Sequence, residues 1–430
     1  MATDGVTFPV YMDNQSTTRV DPRVVQAMLP CWTENYGNAG SLHHALGEAA
    51  KNAIEESRAK IARSIGARAE EVIFTSGATE SNNLAIRGVS LHPRNRRRHL
   101  VSALTEHHAT LTPLRRLQQS GFDLTLLSVL PAGHAEAGRV ELQQAEEAIT
   151  DQTGLVSLML ANNEIGVIQP VAQIAHLAHQ QGALVHCDAT QAVGKMNLNV
   201  QDLGVDLMSF TAHKMYGPKG VGARYIRGGR PTVKLLPQIE GGGQEGGFRS
   251  GTLNVPGVVG FAEALTISLE ELTAEQSRLR QLRGQLWEGL RRDMPELTLN
   301  GPDVERDEMR LPGNLNCSFP GFDGQTLQLN MPQLAISSGA ACSSSQPEPS
   351  HVLSALGIDE DAIRSSLRFG LGRFNTSAEV EFACQHISEA MKRIQSRRGP
   401  PHQMLKYVTM FAHKKTAARF LKRPFIFLFA

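Results

Sequence analysis

Short apolar segments alternate with longer helical segments through the first half of the chain, and this alternation limits the fold most strongly. Strands that alternate with helices in this way are typical of an α/β fold with a mainly parallel sheet. Candidate ligands mostly follow the strands, at the edge where open α/β sheets bind ligands. The predicted strands include residues 72–74, 99–103, 155–160, 183–187, 205–210 and 221–226, and the predicted helices include residues 42–65 and 171–181.

The composition excludes several classes of protein. A chain of 430 residues is long enough for a large domain and a smaller one, each with its own core. Its 43 Lys and Arg residues nearly balance its 42 Asp and Glu residues, so nucleic acid is not expected as a partner. No apolar segment approaches the length of a membrane span, and the N-terminus lacks a signal-peptide pattern. We therefore expect a cytoplasmic protein without a membrane partner.

The cysteines are scattered, without a C-x-x-C pair or a His/Cys cluster at zinc spacing, which predicts a reducing compartment and no metal site. Cys342 stands out because only small residues surround it, in the segment Ser-Ser-Gly-Ala-Ala-Cys-Ser-Ser-Ser. An exposed thiol is open to oxidation, which indicates that this thiol has a use. The surroundings of Cys187, Cys317 and Cys384 fit inert, buried cysteines instead.

Lys214 lies in a turn between two predicted strands, in the segment Ser-Phe-Thr-Ala-His-Lys-Met-Tyr-Gly-Pro-Lys-Gly. Burial would lower the pKa of its amine and make it a nucleophile toward a carbonyl group. A lone lysine at such a place is more often a solvated loop residue. This lysine is accompanied by Thr211 and His213 before it and by a Tyr-Gly-Pro turn after it.

Other segments leave two interpretations open. Residues 75–82 begin a helix after a strand, so their backbone N–H groups form an anion site or belong to an ordinary helix start. His107 is a hydrogen-bonding residue of the fold or a ligand, and Asp188, at the end of a strand, is a cap or a functional carboxylate. Residues 12–18 are predicted to be a connecting loop.

The segments around Lys214 and Cys342 resemble those of a known family. The lysine segment resembles the cofactor-lysine signature of pyridoxal-phosphate enzymes of the class V aminotransferase group, most closely the cysteine desulfurases. The run Ser-Ser-Gly-Ala-Ala-Cys that ends at Cys342 resembles the catalytic loop of group I cysteine desulfurases. The resemblance covers about residues 8–395, with the motifs in the family's order.

The resemblance implies a fold-type I pyridoxal-phosphate-dependent transferase, an α/β protein whose mainly parallel sheet is flanked by helices, with a smaller α+β domain. We predict a large cofactor-binding domain at residues 15–260. Residues 261–397, together with 1–14, are predicted to form the small domain. Residues 398–430 are basic with an apolar end and lie outside the family's pattern, which predicts a disordered tail or an artefact of cloning or reading frame.

The resemblance also implies roles for individual residues. Lys214 would hold the cofactor, Asp188 would keep its ring nitrogen protonated so that the ring acts as an electron sink, and Arg368 would bind the substrate carboxylate. The implied catalytic residues are Lys214, Cys342 and His107. The implied cofactor ligands are Ala78 and Thr79 at the phosphate, His107 on the ring, Asn163 and Gln191 at the ring hydroxyl, Asp188, Thr211, His213, Lys214, and Thr252 at the partner subunit's cofactor. The implied substrate ligands are Asn38 and Arg368.

The implied function is the conversion of L-cysteine to L-alanine by a homodimer with a shared active site. Sulfur would remain on Cys342 as a persulfide and pass to acceptors such as an iron–sulfur scaffold protein. The chain departs from the family at Ala39, Gly246 and Gly370, where the family more often has proline, a basic residue and serine.

Three alternatives remain at this point. A selenocysteine lyase uses the same chemistry, and a transaminase or another C–S lyase can use the same fold. A cofactor-binding sulfur-transfer scaffold would not be an enzyme at all. Cys342 argues against the transaminase, and the joint presence of Cys342, Lys214 and Asp188 argues against the inactive scaffold.

Overall fold

The computed structural model describes residues 6–229, 232–338 and 349–398. Cys342 and the predicted tail beyond Arg398 lie outside the described residues. The strands of the described part are β1 (Val10–Tyr11), β2 (Val72–Thr75), β3 (His99–Ala103), β4 (Asp123–Leu127), β5 (Thr153–Met159), β6 (Leu184–Asp188), β7 (Leu207–Thr211), β8 (Gly222–Ile226), β9 (Thr298–Leu299), β10 (Asn314–Ser318), β11 (Leu334–Ala335), β12 (Ser337–Ser338) and β13 (Ser366–Gly370).

Helices separate most of these strands, as the sequence predicts. The α-helices are α1 (Pro22–Met28), α2 (Pro30–Thr33), α3 (Ala45–Ser64), α4 (Ala78–Ser90), α5 (His108–Gln119), α6 (Leu142–Ala148), α7 (Val171–Gln180), α8 (Val200–Leu203), α9 (Val255–Glu270), α10 (Leu272–Asp293), α11 (Gly324–Leu329), α12 (His351–Ala355), α13 (Glu360–Arg364) and α14 (Ser377–Arg398). Short 3₁₀ turns cover Ala69–Glu71, Ala212–Lys214 and Glu245–Gly247. Within the described part, no helix combines the length and apolar character needed to cross a membrane.

The larger sheet confirms the predicted α/β fold. Its seven strands lie in the order β2–β8–β7–β6–β5–β3–β4. The strands from β7 to β4 pair in parallel, whereas β8 runs antiparallel to both of its neighbours. Because β8 runs antiparallel to β7, residues 212–221 connect the two strands without a crossover helix and contain a single 3₁₀ turn. That turn carries Lys214.

Helices cover both faces of this sheet, which explains why the residues of its central strands are almost all buried. All residues of β5 are buried. Successive side chains of a strand point to opposite faces. Accordingly, Leu155 belongs to the apolar cluster that includes Leu84 of α4 and Leu114 of α5, while its neighbour Val156 belongs to a separate cluster that includes Ile54 of α3.

A second sheet is smaller and antiparallel, in the order β12–β13–β10–β9. Leucines of α10, including Leu286 and Leu290, and apolar residues of α14, including Ile387, form its core. Val10 and Met12 near the N-terminus pack into the same core, and β1 pairs with β11. This arrangement accords with the predicted small domain, but the domain boundaries stay a prediction.

Local sequence signals position several helix starts. Asp21 caps α1, where its carboxylate accepts a hydrogen bond from the N–H of Arg23 and Pro22 occupies the first helical position. The helix predicted at residues 42–65 begins slightly later, at Ala45, because His44 serves as its cap and accepts a hydrogen bond from the N–H of Gly47. The described cysteines, Cys31, Cys187, Cys317 and Cys384, form no disulfide.

Candidate active site

A cavity of about 670 Å³ opens at the carboxyl ends of the central strands. It contains ten of the residues for which the sequence predicted a site role. The predicted residues that line it are Ala78, Thr79, His107, Asn163, Asp188, Gln191, Thr211, His213, Lys214 and Arg368. Most follow the ends of β2, β3, β5, β6 and β7, where the carboxyl ends of sheet strands meet.

Lys214 presents its amine to the backbone of the N-terminal segment. Its Nζ donates to the carbonyl oxygens of Gln15 at 2.5 Å and Ser16 at 2.6 Å. Burial, reinforced by the positive charge of Arg368, lowers the pKa of Lys214 to about 8. The lysine turn therefore supplies an amine that loses its proton more readily than an exposed lysine does.

Asp188 ends β6 and is only 5% exposed. Its Oδ2 accepts a hydrogen bond from Nδ2 of Asn82 at 2.6 Å, and its Oδ1 accepts one from the N–H of Thr190 at 3.0 Å. Both oxygens are thus held in place by α4 and by the backbone after β6. The result is a fixed carboxylate in the wall of the cavity.

The N-terminus of α4 faces the same cavity. No side chain caps this helix, whose cap residue Gly77 has φ +154°, a conformation that residues with a side chain rarely adopt. A β-carbon at Gly77 would meet only Oγ1 of Thr211, at 3.9 Å, and would project into open space. Uncapped N–H groups and the positive end of the helix dipole make this a suitable place for an anion.

His107 caps α5 at the cavity. Its Nδ1 accepts a hydrogen bond from the N–H of Ala109 at 3.0 Å, so the neutral ring carries its proton on Nε2. The side chain keeps contact with solvent, yet desolvation by the surrounding protein lowers the pKa of His107. The preceding Glu106 is fully buried, which raises its pKa well above the usual value, and its Oε1 accepts from the N–H of Met159 at 2.6 Å.

Arg368 reaches the cavity from β13 of the smaller sheet. Its Nη2 donates to Oδ1 of Asp13 at 2.8 Å, Oγ of Ser16 at 2.7 Å and Oγ of Ser337 at 2.8 Å. Its Nη1 donates to the carbonyl oxygen of Asn163 at 3.2 Å. These contacts orient the guanidinium in the wall of the cavity, between the smaller sheet and the loop that follows β5.

The segment at residues 12–18 was predicted to be a connecting loop, and it is a loop, but it also contributes contacts to the site that the sequence analysis did not predict. Gln15 and Ser16 bind Lys214, Asp13 binds Arg368, and Oγ1 of Thr17 lies 3.1 Å from Nδ1 of His213. Its density of short polar residues directly after a strand was the available signal, since such loops often carry functional groups.

The other predicted site residues are not brought together here. Asn38 is exposed, outside the cavity lining, with its Oδ1 accepting from the N–H of Gly40 at 2.9 Å. Thr252 is exposed and also outside the lining, and Cys342 lies outside the described residues. Among the described residues, no group of three or more His, Cys, Asp or Glu side chains could hold a metal ion.

The fold and the lysine-containing cavity agree with the family comparison. The family model Aminotransferase class-V matches residues 10–382, so the chain belongs to this family, which depends on pyridoxal phosphate.

Similar proteins narrow the class further. Cysteine desulfurase IscS of Anaeromyxobacter dehalogenans is 46% identical over 399 residues, which are 93% of this chain and 96% of that protein. The protein of the same name from Rickettsia bellii is 43% identical over 387 residues, or 90% and 92% of the two chains. A solved structure of a NifS-like protein superposes with a TM-score of 0.80 and 37% identity, over 89% of this chain and 99% of its own. SspA in complex with cysteine superposes with a TM-score of 0.71 and 33% identity, over 86% and 100%.

Proposed function

We propose that this chain is a pyridoxal-phosphate-dependent cysteine desulfurase, which converts L-cysteine to L-alanine and retains the sulfur on Cys342. The observation that carries the proposal is that one cavity brings together the partly buried amine of Lys214, the carboxylate of Asp188 and the guanidinium of Arg368. The relatives named above are cysteine desulfurases, and the similar SspA structure holds cysteine.

The described residues fit pyridoxal phosphate. Lys214 would hold it, the uncapped start of α4 would bind its phosphate, and Asp188 would bind its ring nitrogen. Thr190 contributes a buried Oγ1 that has no hydrogen-bond partner among the described residues, and it lines the same cavity. When bound, pyridoxal phosphate supplies an electron sink for the negative charge left on the α-carbon of the substrate.

The chain's own groups account for substrate binding and proton transfer. Arg368, already oriented by Asp13 and Ser16, would bind the substrate carboxylate through N–H donors. Because the pKa of Lys214 is about 8, part of the amine is neutral near neutral pH and can accept the α-proton. His107, with its proton on Nε2, is placed to exchange protons at the cavity.

In the sulfur transfer, Cys342 is the nucleophile, while the bound cofactor would supply the electron sink. The thiolate of Cys342 attacks the sulfur of L-cysteine, so a sulfur–sulfur bond forms while the carbon–sulfur bond of the substrate breaks. The bonding electron pair stays on the carbon fragment, which takes up a proton and leaves as L-alanine. The remaining persulfide on Cys342 passes its sulfur to an acceptor, for which an iron–sulfur scaffold protein is our proposal.

The experiment that tests the function measures alanine and sulfide released from L-cysteine in the presence of a reductant. Cys342→Ala should keep the absorbance of the bound cofactor and lose turnover, whereas Cys31→Ala, at a half-buried cysteine outside the cavity, should retain both. Equal turnover by Cys342→Ala and the unaltered chain would contradict the proposal. Parallel assays with L-selenocysteine would distinguish a selenocysteine lyase from a cysteine desulfurase by showing which of the two substrates is preferred.

We also propose that the chain works as a homodimer in which Thr252 serves the partner subunit's cofactor. Thr252 is exposed and lies outside its own cavity, and a surface cavity of about 750 Å³ adjoins the active-site cavity at Thr79 and His107. A dimer that combines one Lys214→Ala subunit with one Thr252→Ala subunit should regain one complete site. If Thr252 serves its own subunit, this mixed dimer stays as impaired as its parents.

A further inference from the structure

A second lysine lies behind the active-site cavity, in the connection that follows β6. Nζ of Lys195 donates to Oε1 of Gln191 at 2.7 Å. Burial, together with the nearby positive charge of Lys214, lowers the pKa of Lys195 to about 7. The backbone of Lys195 is held by hydrogen bonds to the carbonyl oxygen of Ala192 and from Nε2 of Gln276. Nothing in the sequence motifs assigned a role to this lysine.

The hydrogen bond from Lys195 is one end of a continuous chain. Gln191, only 4% exposed, uses Nε2 to donate to the carbonyl oxygen of Gln15 at 2.9 Å. The same carbonyl oxygen accepts from Nζ of Lys214 at 2.5 Å. The amide of Gln191 therefore connects two lysines, one outside the cavity lining and one within it.

These contacts determine the orientation of the Gln191 side-chain amide. A side-chain amide has a donor end and an acceptor end of nearly equal size. A protonated lysine can only donate, so the charged form of Lys195 requires the oxygen of Gln191 on its side. A reversed amide would place two donors against each other at Lys195 and two acceptors against each other at the Gln15 carbonyl. Nε2 of Gln191 is therefore held on the cavity side of the amide. One of its two hydrogen atoms binds the Gln15 carbonyl oxygen, and the other remains available.

We propose that Lys195 is a positioning residue of the cofactor site, which holds the Gln191 amide so that its N–H donates to the ring hydroxyl oxygen of the cofactor. This inference rests on the proposed function, because the second N–H of the Gln191 amide would contact the ring hydroxyl oxygen of the cofactor. Lys195 itself lies outside the cavity lining and acts only through Gln191.

A purely structural role for Lys195 makes a different prediction. The lysine also borders a small internal void of about 30 Å³, next to Tyr216 and Glu275. If it only filled this region, its replacement would change the stability of the fold without changing the environment of the cofactor. The test must therefore observe the cofactor directly, apart from turnover.

The test titrates the cofactor-free chain with pyridoxal phosphate and records the affinity and the absorbance maximum of the bound form. Lys195→Met keeps an unbranched side chain of similar length but cannot donate. We expect its affinity to fall about tenfold, the typical effect of losing one hydrogen bond to a charged group, with a shifted absorbance maximum. Lys51→Met, at an exposed position of α3, is the matched control and should change neither quantity.

A double-mutant cycle decides whether Lys195 acts through Gln191. In a Gln191→Ala background, Lys195→Met should produce no further loss of affinity. An equal loss in both backgrounds, or an unchanged affinity and absorbance in the single Lys195→Met variant, would overturn the inference.

A second variant covers the case in which Lys195→Met does not fold. Gln191→Glu retains an acceptor for Lys195 but has no N–H to offer, so it should also weaken cofactor binding and shift the absorbance maximum. Unaltered binding by Gln191→Glu would overturn the inference. If the unaltered chain binds no pyridoxal phosphate at all, the proposed function itself fails, which is a distinguishable result.

Discussion

At the scale of single residues, Gln15 and Gly370 form a close steric pair at the active site. A β-carbon at Gly370 would overlap Oε1 of Gln15 and would come within 2.8 Å of the backbone nitrogen of Asn14. The φ angle of Gly370 is not in the positive range, so this glycine is needed for space rather than for backbone freedom. In this chain, Gln15 therefore occupies the space that a side chain at position 370 would need.

We predict that Gly370→Ser destabilises the fold by about 1–3 kcal/mol, the usual cost of inserting atoms into a packed interior. It should also lower activity, because displacement of Gln15 moves the carbonyl group that binds Lys214. Adding Gln15→Ser to the same chain should restore much of the stability by removing the overlapping atoms. Denaturant unfolding of the single and double variants measures this, and simple additivity of the two effects would contradict the pairing.

At the scale of elements, a row of buried polar side chains crosses the larger sheet. Nδ1 and Nε2 of His186 lie 2.9 Å from the hydroxyl groups of Ser157 and Ser209, and Ser102 donates to the Ser157 carbonyl oxygen at 2.7 Å. Arg224 on β8 pairs with Ser209 of β7 and continues the row. All five residues are fully buried. The strands therefore carry polar groups inside an otherwise apolar layer.

Arg224 contrasts with Arg310, which is buried to the same degree. None of the three guanidinium nitrogens of Arg224 has a hydrogen-bond partner among the described residues, and burial lowers its pKa to about 9. Arg310 instead donates to the carbonyl oxygens of Pro302, Asn300 and Asn314. A buried charge without partners costs free energy, whereas a buried charge that satisfies several carbonyl groups holds them in place.

We predict that Arg224→Leu raises the free energy of unfolding by about 1–4 kcal/mol, since it removes an unpaired buried charge. The matched variant Arg310→Leu should lower the free energy of unfolding by about 1–3 kcal/mol for each carbonyl group that it leaves unpaired. Thermal and denaturant unfolding provide the comparison. A destabilising effect of both substitutions would show that Arg224 has compensating partners.

At the scale of the whole molecule, Arg373 ties together segments that are distant in the chain. Its guanidinium donates to Oδ2 of Asp21 at 2.9 Å, Oε2 of Glu275 at 3.0 Å and Oγ of Ser268 at 3.2 Å. Asp21 caps α1, Ser268 lies in α9 and Glu275 lies in α10. Hydrogen bonds from Arg23, and then from Arg373, hold the pKa of Asp21 well below its usual value of 3.8.

We predict that the stability contributed by Asp21 depends on pH in the acid range. A carboxyl group whose pKa is lowered by folding stabilises the fold above its unfolded pKa, and this contribution is lost as the pH falls toward the folded pKa. The unaltered chain should therefore exceed Asp21→Asn in stability by a constant amount above about pH 5. That difference should shrink below about pH 4. Urea midpoints measured across this range test the prediction, and a constant difference throughout would contradict it.

The sequence by itself determined the α/β alternation, the lysine turn and the helix that begins at the cavity. These features depend on local patterns, because a buried strand or a helix start is specified by neighbouring residues. The convergence of Asp188 and Lys214 also followed, since the ends of adjacent parallel strands meet at one edge of a sheet. The lowered pKa of Lys214 was expected from the two flanking strands, and the partly buried side chain agrees with it.

Only the tertiary structure decided what these groups contact. The carbonyl groups of Gln15 and Ser16 that bind Lys214 come from about 200 positions earlier in the chain, and no local pattern predicts such a pairing. The same holds for the contact between Gln15 and Gly370, and for Arg224, whose guanidinium has no hydrogen-bond partner in the described part of the chain. Hydrogen bonding and steric fit depend on three-dimensional neighbours, whereas helices and strands are largely specified by residues close in sequence.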